Sequence, residues 1–155
     1  MTRIMFICHG NICRSPMAEF IMKELVRRKG LEGEFVIDSC AVSTEEIGNG
    51  IYPPAKSELT RRGIPFARHT AVQLTRADSE RYDMFIVMDT SNLRRARGIL
   101  GTSGEDKLYK LMHFAGSERD VTDPWYSRRF DTAFDDIMLG CEGLLGELMQ
   151  GSGQV

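Results

Sequence analysis

The chain has 155 residues, 42% of them hydrophobic, and a formal net charge of −2. That length suits one domain, taken as residues 1–150 with a frayed tail at 151–155, and is too short for two comfortable cores. The charge supplies no basic face for nucleic acid or a membrane surface, and the opening apolar run "IMFIC" is too short for a secretory leader or a span.

The first predicted element is "RIMFI", Arg3 to Ile7, a near-continuous apolar run expected of a central strand buried on both faces. From Pro16 the residues Met17, Phe20, Ile21 and Leu25 recur at helical spacing, with Ser15 as the N-cap and Gly30 as the stop. "EFVIDS", Glu34 to Ser39, predicts a second strand, and "IGNGIYPP" a loop. Pro54 to Arg62, closed by Gly63, predicts a helix, and "ADSERY" a short helix or turn. Met84 to Met88 then predicts a third strand, followed by the capped helix "DTSNLRRARGIL". "KLYKLM" predicts a fourth, weaker strand. Phe130, Phe134, Ile137, Cys141, Leu144 and Leu148 share one stripe of a final helix that ends near Met149. Alternating strands and helices predict an α/β fold of three layers: a twisted, four-stranded parallel sheet with helices on both faces. Ligands of such folds sit beyond the carboxyl ends of the strands, where the loop after the first strand lies.

That loop reads "CHGNICRSP" from Cys8 to Pro16. A loop of this size, closing onto a helix N-terminus, can turn its backbone N–H groups inward around an anion. Gly10 and Asn11 tolerate the left-handed backbone that such a curl needs, and Arg14 offers a planar fork for two phosphate oxygens. Donors of that kind favour the thiolate of a cysteine at the mouth, and a thiolate attacking phosphorus would form a cysteinyl-phosphate. Spacing alone leaves the alternative of Cys8 as a small core residue and Arg14 as a surface charge. A metal site lacks ligands: His9, His69 and His113 are scattered, and Cys8 and Cys13 make no zinc knuckle. No cofactor is expected, and the four scattered cysteines, Cys8, Cys13, Cys40 and Cys141, suit free thiols in a reducing cytoplasm.

"CHGNICRSP" resembles throughout the signature loop of the low-molecular-weight protein tyrosine phosphatases. The resemblance extends through "DSCAVSTEEIGN", "RRGIPFARH", "YDMFIVMDTSNL" and "DPWY". It implies hydrolysis of phosphotyrosine in a protein or peptide, with Cys8 as nucleophile and Arg14 as clamp, the phosphate resting on loop residues His9 to Cys13, Ile12 among them; a monomer is expected. Loss of the leaving group requires an acid over the loop. Asp123 in "TDPWY" reads by itself as an Asp-Pro turn residue, and the resemblance makes it that acid. The resemblance also implies that Asn11, Ser39 and His69 brace the loop and that Ser15 stabilises the thiolate; alone, Ser39 and His69 read as ordinary strand-end or loop residues. Asp89 resembles a structural acid near the loop and reads equally well as a helix cap. Cys13 resembles the second cysteine that shields Cys8 through a reversible disulfide, with a packing role as the alternative.

One position departs from the family. Many members carry an aromatic residue just before "EIGN", where this chain has Glu45, so Trp125 and Tyr126 are expected to wall the substrate cleft from one side only. His9 belongs to the rim with no catalytic role assigned. Two other functions share parts of this pattern. An arsenate reductase of the same fold needs a later cysteine pair, and only Cys141 follows Cys40. A non-catalytic phosphotyrosine reader would not require the nucleophile, arginine and acid together.

Overall fold

The computed structural model describes residues 1–153. Four strands, β1 (Thr2–Cys8), β2 (Phe35–Ala41), β3 (Met84–Val87) and β4 (Leu108–Lys110), pair in the order β2-β1-β3-β4. Every pairing is parallel, as helical crossovers between successive strands require. β1 thus has a neighbour on each side, with Ile4 opposite both Ile37 and Met84.

Alternation along β1 divides the core. Ile4, Phe6 and Cys8 face one layer, where they meet α1 (Arg14–Arg28), α2 (Pro53–Arg61) and α5 (Phe130–Gly153). Met5 and Ile7 face the other, with Phe85 and Val87, under α3 (Thr90–Leu100). A strand with no solvent face must be apolar throughout, which explains the unbroken opening run.

Most elements start or end within a residue or two of expectation, and the larger differences have physical reasons. Cys13, not Ser15, stands at the N-cap of α1 and makes no side-chain cap bond, because Ser15 lies inside the helix with its hydroxyl turned elsewhere. Arg14 itself begins that helix. The fourth strand covers only Leu108–Lys110; Leu111–Ala115, whose apolar residues read as more strand, coils into a 3-10 turn that packs on α5. The last helix continues through Gly151–Gly153, within the stretch assigned to a frayed tail, and Gln154 and Val155 lie outside the described residues. A short helix, α4 (Pro124–Ser127), follows Asp123. No helix among the described residues is long and apolar enough to cross a membrane.

Candidate active site

The loop from Cys8 to Arg14 leaves the carboxyl end of β1 and curls back to start α1. Its turning point is Asn11, fully buried and held at a φ of 60°. Asparagine tolerates that left-handed region better than most residues, and here every polar group of Asn11 is engaged. Its backbone N–H points at Cys8 Sγ, 3.3 Å away, and its backbone carbonyl accepts from His69 Nε2 at 2.8 Å. The side-chain amide donates to Ser15 Oγ at 2.8 Å and Ser39 Oγ at 3.0 Å, while Oδ1 accepts from Val72 N at 3.2 Å.

Ser15 Oγ, which accepts from Asn11, lies 3.0 Å from Cys8 Sγ and 3.4 Å from the Cys40 carbonyl, so its proton has both as acceptors. Ser39 likewise accepts from Asn11 and passes its proton to the buried carboxylate of Glu19 at 2.6 Å. A carbonyl only accepts, so His69 carries its hydrogen on Nε2. Cys8 thus has the Asn11 N–H and the Ser15 hydroxyl beside its sulfur. Burial, together with the nearby Cys8, pushes the Cys13 thiol well above the ordinary range. Burial does the same to Cys40 and Cys141, and all four cysteines are free.

Arg14 is 2% exposed. Its Nη1 donates to Asp89 Oδ2 and to the Val121 carbonyl, each at 2.8 Å, and its Nη2 lies 3.4 Å from Asp123 Oδ2. Burial works against the guanidinium charge, but Cys8, Asp123 and Asp89 outweigh it and raise the pKa. Asp89 fills both roles read from the sequence, since its Oδ1 caps α3 through Asn92 N at 2.7 Å while Oδ2 holds the arginine. Asp123 is fixed by its own N-cap bond to Trp125 N at 3.0 Å.

Cys8, His9, Gly10, Ile12, Cys13, Arg14, Glu45, Glu46, Asp123, Trp125 and Tyr126 line one pocket. Asn11, Ser15, Ser39 and His69 stand behind it as braces, so the residues singled out in the sequence fall into one assembly. Tyr126 contributes little enclosure, being 82% exposed. Trp125 is backed by Tyr52, with ring centroids 4.8 Å apart, and Tyr52 is tied to the loop through its N–H to the Ile12 carbonyl at 2.9 Å.

The chain matches the family model for low molecular weight phosphotyrosine protein phosphatase over residues 3–153. It belongs to that family. Among curated relatives, a low molecular weight protein-tyrosine-phosphatase of Bacillus subtilis, YfkJ, is 35% identical over 152 residues, 97% of each chain. A low molecular weight phosphotyrosine protein phosphatase of Schizosaccharomyces pombe is 35% identical over 127 residues, covering 80% of this chain and 81% of that one. The crystal structure of YfkJ superposes with a TM-score of 0.93, covering 97% of this phosphatase-family chain and 96% of the other.

Several residues of the site went unnoticed in the sequence. Glu19 gives no local signal beyond being an acid between Ala18 and Phe20 on a buried helix, and its partner Ser39 is 20 residues away. Glu46 stands over Gly10, where a β-carbon would lie 3.2 Å from its Cγ. Arg95, from α3, meets His9. Arginine only donates, so its Nη1, 3.2 Å from His9 Nδ1, makes that nitrogen the acceptor and leaves Nε2–H to donate to Glu45 Oε2 at 2.8 Å. His9 thus links Glu45 to Arg95 across the rim, facing the aromatic wall.

Proposed function

We propose that this chain hydrolyses phosphotyrosine through a cysteinyl-phosphate. The arrangement that carries the proposal is Cys8 Sγ under the donors of Asn11 and Ser15, in one pocket with Arg14, Asp123 and an aromatic wall. In the first step Cys8 Sγ bonds to phosphorus as the P–O ester bond breaks, and the protonated Asp123 carboxyl gives its proton to the departing phenolate. In the second, a water oxygen bonds to phosphorus, the S–P bond breaks, and Asp123 takes the water's proton. Arg14 and the loop N–H groups hold the three non-bridging oxygens throughout. Ile12 and Trp125 supply apolar surface for the ring.

The partner in this reading is a phosphotyrosine-bearing protein or peptide. The working form in this reading is a monomer, and the free thiols suit the cytoplasm as its compartment.

Two variants test the assignment. Cys8→Ser should abolish turnover of aryl phosphates; ordinary turnover would end the proposal. Asp123→Asn should lower kcat/KM for phenyl phosphate by about 10²- to 10⁴-fold and barely affect 2,4-dinitrophenyl phosphate, whose leaving group needs no acid. A panel of phosphotyrosine, phosphoserine, phosphohistidine and phosphoarginine should rank phosphotyrosine first. Preference for phosphoarginine, whose guanidinium would meet Glu45 and Glu46, would overturn the aryl specificity.

A further inference from the structure

The segment leading into Asp123 has a fastening that the chemistry above does not use. Residues 117–123 form no regular element, yet they must hold a carboxyl over the phosphate loop. Against them stands Lys110, the last residue of β4, with a side chain 17% exposed. Its Nζ has three acceptors for three protons: Asp120 Oδ1 at 2.6 Å, the Glu118 carbonyl at 2.7 Å and Thr90 Oγ1 at 3.2 Å. Asp120 Oδ1 also accepts from Thr90 N at 3.1 Å and Thr90 Oγ1 at 3.2 Å. Burial alone would raise the Asp120 carboxyl, but Lys110 and Thr90 outweigh it and hold it below the ordinary value.

One residue on, Val121 N donates to the Met88 carbonyl at 2.8 Å, and the Val121 carbonyl accepts from Arg14. The chain then reaches Asp123 within two residues. Lys110 and Asp120 touch neither the pocket nor Arg14, whose place is also kept by Asp89. Their grip falls on the approach to Asp123 and reaches Arg14 only through the Val121 carbonyl, one of the two partners of that guanidinium's Nη1.

We infer that Lys110 and Asp120 are positioning residues for Asp123: they fasten residues 118–121 to the end of β4 and the first turn of α3, and so set where the proton donor stands above the loop. This rests on the reading of Asp123 as the proton donor. The phosphate loop is braced from the β2 side through Asn11, Ser39 and His69, Arg14 by Asp89 and the Val121 carbonyl, and the approach to Asp123 from the β4 edge of the sheet.

The test uses the full chain and the same two aryl phosphates. Lys110→Met and Asp120→Asn should each lower kcat/KM for phenyl phosphate by about tenfold, the scale expected when a proton donor is displaced but not removed. Both should leave 2,4-dinitrophenyl phosphate within about twofold and should add nothing in an Asp123→Asn background, where the displaced group is already absent. Thermal unfolding of each variant guards against a general loss of structure, and Asp120→Asn serves if Lys110→Met folds poorly, because its amide oxygen still accepts from Thr90. Equal losses on both substrates, or losses that persist beside Asp123→Asn, would overturn the inference while leaving the acid assignment standing. Full activity of Asp123→Asn alone on phenyl phosphate would instead remove the acid assignment, and this inference with it.

Discussion

Asn11 explains why the loop holds a shape that most sequences would avoid. A non-glycine residue at positive φ stores strain of order 1–3 kcal/mol, and five hydrogen bonds around one buried side chain and its backbone offset it. The rim is different in kind. His9 and Glu45 are exposed, and an ion pair or hydrogen bond there is worth about 0–1 kcal/mol, too little to matter to the fold and enough to shape the entrance. Replacing Glu45 by an aromatic residue should therefore act on binding. Glu45→Tyr is expected to lower KM for phenyl phosphate by roughly two- to tenfold, the worth of one aromatic contact, with kcat unchanged. An unaltered KM would show that this side of the pocket does not meet the ring. At this scale legibility followed distance along the chain. Cys8, Asn11 and Arg14 lie within one loop, so their residue types and spacing carried the chemistry. Asp123 is far from them; its proline and aromatic neighbours made it a candidate, and only the family resemblance set it above a turn residue. Glu19, Arg95 and Lys110 act through partners far away in sequence, and no local pattern marks a lysine that will be enclosed by three oxygens.

Among the elements, α5 shows how a helix with several glycines is held. Gly140 and Gly143 face the 3-10 turn of Leu111–Ala115; a β-carbon on Gly140 would lie 2.5 Å from Leu111 Cγ, and one on Gly143 would run into the Phe114 carbonyl. Gly146, one turn on, meets nothing within 4 Å. Alanine gains up to about 1 kcal/mol over glycine inside a helix, whereas forcing an atom against fixed backbone costs about 1–3 kcal/mol or more. The two sites should split in sign: Gly143→Ala lowers the melting temperature by several degrees, and Gly146→Ala raises it slightly. Melting curves for the pair check this, and a stabilised Gly143→Ala would mean that the turn can move away. The same contact explains the misread fourth strand. Leu111 and Met112 have the apolar character of a strand, but their burial is against α5, a segment the chain has yet to reach when the pattern is read locally. Helix starts were harder to see than helix bodies for a related reason. Ser15 has the residue type of a cap, yet its hydroxyl is claimed by Cys8 and Asn11.

The whole molecule should respond to acid through carboxylates paired with arginine. Hydrogen bonds from Arg27, then Arg28, hold the Glu24 carboxyl from 4.5 down to about 2, and Arg129 holds Asp131 from 3.8 to about 2. Each folded value lies below its unfolded one, so the stabilisation is present above about pH 4.5 and is lost as pH falls toward 2. Melting temperature should decline across that window, and less steeply for Glu24→Gln than for the parent chain. Equal slopes would assign acid sensitivity to other groups. The alternation of strands and helices, legible throughout, is what fixes the architecture in which these pairs sit.

The sheet order has a last consequence. Cys8 hangs from β1 and Arg14 from α1, while Asp89 and the Met88 carbonyl that anchors the segment before Asp123 follow β3, and β1 and β3 are the two central strands. Loop braces come from β2 on one flank, and Lys110 comes from β4 on the other. All four strands thus contribute to one mouth. Loosening either flank should therefore show in turnover before the sheet itself gives way: a catalytic assay of this protein also reads the state of its fold.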